Sequence, residues 1–273
     1  MITEKLQKQL RPWLEIYSGV PLASFGLESM PVLLRSQPLG EPTGLLAIRL
    51  GQQSAMVVDD ADLALKLQPL VDDLHPDTIF STFGIFELSR LTLSHGISVW
   101  GPNWFLFGDN TTVSDRIDNR VEKISQVELT EVDFKEFWHC DPDATDGFGI
   151  REDEKIVALA TVIDREPPVC EIGMEVSQDS QGKGLGRSVV TAAARWILDT
   201  DRVPLAVVAP FNVPSTRTLR SSGLEYMFQC MEGKKGRFHV PPQPLGSPTV
   251  GAQMYNYYPE WAMNKDIKEK PDS

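Results

Sequence analysis

The sequence is poor in the residues that build disulfide frameworks and metal centres. It contains three cysteines and four histidines among 273 residues. Cys140, Cys170 and Cys230 lie far apart, and no Cys-x-x-Cys pair or His/Cys cluster has the spacing of metal ligands. Cys170 and Cys230 fall in strand-like runs, where a thiol packs as a small hydrophobic group. We therefore expect no metal site, and a reducing environment is the default.

Long apolar runs and an excess of positive charge are also missing. No segment approaches the roughly 20 apolar residues that cross a bilayer, and the N-terminal residues mix charged and apolar side chains without a secretory signal. The net charge is −12 and the pI is about 4.8. Such a protein repels nucleic acid and anionic membranes and favours cationic substrates such as amines. The expected protein is cytoplasmic and binds neither; its oligomeric state stays open.

The pattern of elements predicts an α/β protein with a mixed sheet, divided into two units. Residues 1–120 combine an amphipathic helix at 6–17, three strands and two helices, at 63–74 and 85–93. Two aromatic runs, 97–100 and 104–107, are joined by Gly-Pro-Asn and predict a hairpin whose side chains either pack in the core or wall an acceptor cavity. The polar residues 108–125 are interpreted as a linker. The second unit is 125–273, in which Thr130 is the expected first helix cap.

The stretch from Val169 to Leu224 carries the clearest chemical signal. An alternating strand over 170–176 ends in a polar turn, glycines follow at 182, 184 and 186, and an Ala-rich helix runs from about Arg187 to Leu198. Glycine permits positive φ and a close approach of the backbone to a ligand. The first N–H groups of a helix have no partner inside it, so a phosphate can accept from them. The stretch predicts a site for a phosphorylated ligand.

The spacing of the glycines selects among such ligands. A dinucleotide fingerprint needs Gly-x-Gly-x-x-Gly and a Walker loop needs Gly-Lys-Ser/Thr, and neither is present. The run Gln181-Gly182-Lys183-Gly184-Leu185-Gly186 matches Gln/Arg-x-x-Gly-x-Gly/Ala instead. Asn212, Ser215 and Gly223-Leu224 then follow the pattern Asn-x-x-Ala/Ser-x-x-x-Tyr-x-x-x-Gly-Phe/Leu, with Leu219 in place of the tyrosine.

Through these motifs, residues 125–231 resemble the GNAT superfamily of acyl-CoA-dependent N-acyltransferases, with a further strand expected near 253–258. The resemblance implies an α/β acyltransferase domain preceded by a smaller α/β domain, which either shapes the acceptor site or is a degenerate copy of the same fold. It implies acetyl-CoA as cosubstrate and a ternary complex in which an amine, preferably a small molecule, attacks the thioester directly. The alternative is an acyl-CoA sensor or scaffold that has lost catalysis.

The resemblance also implies which residues hold the cosubstrate. The backbones of Met174 and Val176 would pair with the pantetheine arm along a strand that ends in a bulge. The other expected contacts are Gln181, Gly182, Lys183, Gly184, Leu185, Gly186, Arg187, Asn212 and Ser215. For Asn212 the competing interpretation is a helix cap, and for Lys183 and Arg187 it is a solvated charge.

The groups that would move protons are less defined. Leu219 stands where the family has a tyrosine near the departing thiolate, so either Tyr226, the nearest tyrosine, acts as the acid or the thiolate leaves unprotonated. Glu171 and Glu175 share one face of their strand, and we expect Glu171 to be the general base. A solvent-facing role is the alternative for both carboxylates. His139 is a third candidate, without a visible constellation around it.

Overall fold

The computed structural model describes residues 4–35 and 43–235. In these ranges the α-helices are α1 Glu4–Ser18, α2 Ala61–Asp73, α3 Pro76–Ile79, α4 Thr82–Thr92, α5 Gln126–Leu129, α6 Leu185–Asp199 and α7 Val213–Ser221. The strands are β1 Gly26–Leu27, β2 Val32–Leu34, β3 Thr43–Leu50, β4 Gln53–Val58, β5 Ile97–Phe107, β6 Glu122–Ile124, β7 Asp146–Glu152, β8 Lys155–Asp164, β9 Val169–Val176, β10 Val203–Val208 and β11 Glu225–Lys235.

All of these strands join one mixed sheet in the order β1-β4-β3-β11-β5-β10-β9-β8-β7-β6, with β2 also paired to β4. The pairs β9–β10 and β2–β4 are parallel, and the others are antiparallel. Strand β5, from the first predicted unit, lies between β10 and β11 of the second. Strands on both sides of residues 120–125 therefore share one sheet, and the division into two units stays a prediction.

Helices cover both faces of the sheet. The apolar stripe of α6 includes Val189, Ala193 and Ile197, and it packs with Leu106 of β5 in one buried cluster. Phe105, the neighbour of Leu106, belongs instead to a second cluster with α1. Because successive side chains of a strand point to opposite faces, α6 and α1 lie on opposite sides of the sheet. A third cluster places α2 and α4 against β3, β4 and β5.

The hairpin predicted at 97–107 is wrong, because the structure forms one eleven-residue strand there. Strand β11 pairs with β5 along this whole length. Opposite Gly101 and Pro102 the register shifts, so that these two residues face Met231 alone. A bulge of this kind accommodates a proline that cannot donate to the ladder. The Gly-Pro pair thus marks an irregularity within a strand rather than a turn.

The helix cap predicted at Thr130 is also misplaced. Ser125 caps α5: its hydroxyl accepts from the N–H of Glu128 at 3.3 Å, and the Glu128 carboxylate accepts from the N–H of Ser125 at 2.9 Å. The Thr130 hydroxyl instead donates to the carbonyl of Val127. The reciprocal bonds satisfy two N–H groups at the start of the helix. The Thr–Asp spacing at 130–133, on which the prediction is based, does not start a helix.

Several other boundaries move by a few residues. Helix α6 begins at Leu185 rather than Arg187, and β6 lies inside the predicted linker. Strand β11 extends to Lys235, into a segment expected to be a surface loop from Glu232 to Gly251. The rest of that loop and the strand expected at 253–258 lie outside the described residues. The hairpin at 148–161 and the buried parallel strand at 205–209 are confirmed as β7–β8 and β10.

Candidate functional site

The sheet opens between β9 and β10. These parallel neighbours pair only over Val169–Glu171 and Val203–Leu205. Beyond Glu171, β9 stays paired with β8 up to Val176, while β10 stays paired with β5 up to Val208. The two strands therefore diverge and leave a gap. The β8–β9 register runs without a shift, so divergence, rather than a bulge against β8, produces the opening.

The backbone of β9 beyond Glu171 directs hydrogen-bonding groups into this gap, where the Val176 N–H donates to Glu175 Oε1 at 3.4 Å. Ser177, just after β9, donates to Val157 on the β8 side, whereas the carbonyl of Pro168 accepts from Val203 of β10. Backbone groups alternate between the two edges of a strand, so even-numbered residues of β9 face β10. Met174 and Val176 thus direct their N–H and C=O groups into the gap. The Gln181 side chain donates to the carbonyl of Val176 at 3.2 Å.

The three positions of the loop carry glycine for different structural reasons. Gly182 and Gly184 adopt φ values of 77° and 78°, and a Cβ at either position would meet nothing within 4 Å. The left-handed backbone conformation requires glycine at these two positions. A Cβ on Gly186 would lie 3.2 Å from Met174 Sδ and from methyl groups of Val176 and Thr218. Gly186 therefore lets α6 pack closely on β9 and α7.

The N-terminus of α6 is open to an anion. No side chain caps this helix, and its first turn carries no acidic residue. Its first N–H groups thus lack partners within the helix and carry the positive end of the dipole. Lys183 and Arg187, both exposed, flank this end. Leu185 is buried beneath the turn and anchors it in the apolar cluster around α6.

A cleft of about 830 Å³ extends from this helix end, between α6, the end of α7 and the segment 108–121, which we term the strap. Its cationic lining is Arg116, Arg120, Lys183, Arg187 and Arg220, against the acids Asp118 and Glu225. Five cations around one cleft contrast with the overall charge of −12. The cleft is therefore suited to a phosphorylated group.

The strap is fixed to α6 by two side-chain contacts. Ser188 of α6 donates to Asp118 at 2.8 Å, and Arg195 of α6 pairs with Asp115 at 2.8 Å. Hydrogen bonds from Arg120 and Ser188 hold the pKa of Asp118 well below its usual range. The sequence interpretation as a linker missed the cleft-lining role of this segment. Two arginines in an otherwise polar stretch are the signal that was available.

The predicted residues on α7 divide between capping and core packing. Asn212 caps α7, with its side-chain oxygen accepting from the N–H of Ser215 at 3.3 Å. This confirms the cap and leaves the amide nitrogen for another contact. Leu219 is buried in the core around α6. Tyr226 lies on β11, separated from β9 by β10 and β5, with its ring against Trp104. Partial burial raises its pKa.

The aromatic residues of β5 alternate between two environments. Phe105 and Phe107 are buried and contact Phe228, so for them the core interpretation is correct. Trp104 and Trp100 are half-buried, and Trp100 lies edge-on against Phe211 in the loop after β10.

Two carboxylates of β9 have different partners. Glu171 accepts from Arg165 Nε at 2.8 Å. Glu175 contacts His139 Nδ1. The base and acid roles of Glu171 and Tyr226 stay predictions. Of the described residues, no three His, Cys, Asp or Glu side chains are grouped so as to hold a metal ion. Within the described ranges, no helix has the length and apolar character of a membrane span.

A comparison with known protein families matches the part of the chain that contains most of this site. The model of the acetyltransferase (GNAT) family matches residues 115–224, which comprise β6 to the end of α7 together with the glycine loop and part of the strap. This match spans 110 of the 273 residues and identifies residues 115–224 as a domain of the acetyltransferase (GNAT) family. It confirms the resemblance found in the sequence.

Similar solved structures include a GCN5-related N-acetyltransferase from Kribbella flavida, with 17% identity, a TM-score of 0.44, and coverage of 55% of this chain and 64% of that one. An acetyltransferase from the GNAT family of Colwellia psychrerythraea has 14% identity, a TM-score of 0.42, and coverage of 55% and 61%. A tandem GNAT protein from the clavulanic acid biosynthesis pathway has 12% identity, a TM-score of 0.37, and coverage of 53% and 57%. The chain spans less than two thirds of each. No curated protein matches the sequence significantly.

Proposed function

We propose that this protein binds acetyl-CoA between β9 and β10 and transfers the acetyl group to a primary amine. The observation that carries the proposal is the gap, which adjoins an uncapped helix end reached through two glycines of positive φ. The backbones of Met174 and Val176 are suited to bind the pantetheine arm as an added strand would. The glycine turn from Gln181 to Gly186 is suited to the pyrophosphate.

The cationic cleft extends the binding surface beyond the turn. Lys183 and Arg187 are suited to the phosphates nearest α6, and Arg116 and Arg220 to a phosphate farther along the cleft. Acetyl-CoA carries phosphates at two places, a pyrophosphate and a ribose 3′-phosphate, and the turn and the cleft offer one site for each. Asn212 and Ser215, at the start of α7, complete the proposed set beside the arm.

The acceptor we propose is a cationic or neutral amine. A groove of about 1510 Å³ lies beside the end of β9, between residues 131–138 and the turn of the β7–β8 hairpin. Its charged lining is Glu122, Glu128, Glu131, Asp133, Glu136, Glu152, Asp153, Glu154, Glu175 and Asp179, against Arg151 and Lys155. This negative field attracts ammonium groups. Chemistry would then proceed mainly through positioning, with the amine and thioester held in contact.

Calorimetry with acetyl-CoA tests the binding. Gly184→Trp places an indole in the open space where the phosphates would lie, and its affinity should fall at least tenfold. Gly51→Trp is a matched control, because Gly51 in the β3–β4 turn also has positive φ and open surroundings but lies outside the site. The control should bind like the wild type. Equal affinity of all three proteins, or no binding to any, contradicts the proposal.

The buried Leu219 favours a second candidate, an acyl-CoA sensor without turnover. Such a side chain cannot protonate a departing thiolate. Thiol release measured over amines, amino acids, aminoglycosides and peptides separates the two functions. Release with any acceptor eliminates the sensor, whereas acetyl-CoA binding without release across the set favours it.

A further inference from the structure

Residues that are distant in sequence meet on the face of the sheet opposite α6. Glu175 of β9 places one carboxylate oxygen against Nδ1 of His139. The Glu175 side chain is 18% exposed and that of His139 is 38% exposed. The carboxylate is thus largely enclosed while the imidazole keeps a solvent-accessible edge. When Nδ1–H is donated to a carboxylate, the lone pair of the neutral ring resides on Nε2.

The backbone holds His139 in this place. A Cβ on Gly173 would lie 2.3 Å from the carbonyl oxygen of His139, so the missing side chain lets this segment lie directly on β9. The N–H of Asp141 donates to the buried Thr161 hydroxyl at 3.0 Å, and Thr161 pairs with Gly173 across β8 and β9. Cys140, between His139 and Asp141, is buried against β8.

The same contacts place His139 beside the gap. Gly173, on which its backbone lies, is two residues beyond the last β9 residue paired with β10. Glu175 also lines the acidic groove together with the 66% exposed Trp138, whose ring contacts that of His139. Glu171 is at the closed end of the gap, and its carboxylate is engaged by Arg165. His139 is therefore the better placed of the candidate bases.

We propose that His139 is the catalytic base of the acyl transfer and that Glu175 is its positioning residue. This inference rests on the proposed function. Nε2 takes one proton from the substrate ammonium ion and later releases it to solvent. The amine nitrogen of the substrate, now neutral, attacks the thioester carbon. The C–S bond then breaks with its electron pair on sulfur. The second proton lost by nitrogen, as the amide forms, ends on that sulfur as the free thiol of CoA.

The test compares kcat, KM and acetyl-CoA affinity of four single glutamine variants and one double variant, using the best acceptor among spermidine, lysine, an aminoglycoside and a lysine-containing peptide. His139→Gln should lower kcat about a hundredfold or more, a usual cost of losing a general base, with acetyl-CoA affinity within about twofold of wild type. Glu175→Gln should lower kcat less and add almost nothing to His139→Gln, because both act as one unit. His75→Gln is the control, since this exposed histidine lies beside α3.

Further readouts separate catalysis from folding. Imidazole should restore part of the kcat of His139→Ala, which a structural defect would not allow. Glu171→Gln should keep most of the wild-type kcat. A His139→Gln variant with more than half of the wild-type kcat, or a hundredfold loss confined to Glu171→Gln, overturns the inference while leaving the proposed function intact. Failure of the wild type to bind acetyl-CoA refutes the proposed function itself. Binding without thiol release from any probe refutes the transfer and the base together.

Discussion

Two arginines on one helix allow the cationic cleft to be tested without knowing the acceptor. Arg217 and Arg220 are both exposed on α7. Arg220 lines the cleft with Lys183 and Gly184, whereas Arg217 does not line it. Arg220 forms no ion pair with the residues at 4–35 and 43–235, so its replacement removes no salt bridge from this part of the chain. Arg220→Gln should therefore change ligand binding more than stability.

The expected loss of acetyl-CoA affinity depends on the exposure of the site to solvent. A hydrogen bond to a charged group contributes about 1.5–3 kcal/mol, and solvent screening at this surface lowers the figure to about 1–1.5 kcal/mol. Each 1.4 kcal/mol is tenfold in affinity. Arg220→Gln should thus weaken acetyl-CoA binding roughly five- to tenfold, and Arg217→Gln less than about twofold. The difference should shrink at high salt, because both the cleft and its cations are open to solvent.

Isothermal titration calorimetry with acetyl-CoA and with acetyl-dephospho-CoA measures these affinities. If Arg220 contacts the ribose 3′-phosphate, the wild type and Arg220→Gln should bind the dephosphorylated ligand with equal affinity. If it contacts the pyrophosphate, the loss should be equal with both ligands. Equal affinities of the Arg217 and Arg220 variants for acetyl-CoA, at low salt, would refute the assignment of the cleft.

Three other predictions concern the packing of the fold and its buried thiols. Gly186→Leu should lower the free energy of unfolding by about 1–3 kcal/mol in urea denaturation, because a Cβ there already lies 3.2 Å from three neighbouring atoms; an unchanged free energy of unfolding would contradict this packing. Burial raises the pKa of the Cys140 and Cys170 thiols to about 12. The pKa of a cysteine thiol in the unfolded chain is near 8.5. Below that pH both states hold neutral thiols, and the contribution of the buried thiols to stability is fully present. The free energy of unfolding should therefore decline from about pH 9 towards 12. The native protein should also react slowly with a thiol reagent at pH 8, and all three cysteine thiols should react once the protein is denatured. A fast reaction of the native protein would show that the thiols are accessible.

Local chemistry in the sequence was sufficient for the parts of the site that lie close together along the chain. The spacing of Gly182, Gly184 and Gly186, followed by a helix, predicts an anion turn because positive φ and unpaired N–H groups are properties of a few adjacent residues. The Asn212 cap is local in the same way. Short apolar runs likewise predicted β8 and β10, whose burial needs only a continuous hydrophobic segment.

Features that depend on pairing between distant segments were decided by the tertiary structure. The Gly-Pro pair at 101–102 resembles a turn locally, yet β11 supplies a partner along all of β5 and converts it into a bulge. The gap beside β9 exists because β10 turns towards β5, which comes from the first hundred or so residues. His139 meets Glu175 because Gly173 admits its backbone. Chain spacing determines local geometry, whereas strand order and packing decide which distant side chains share a site.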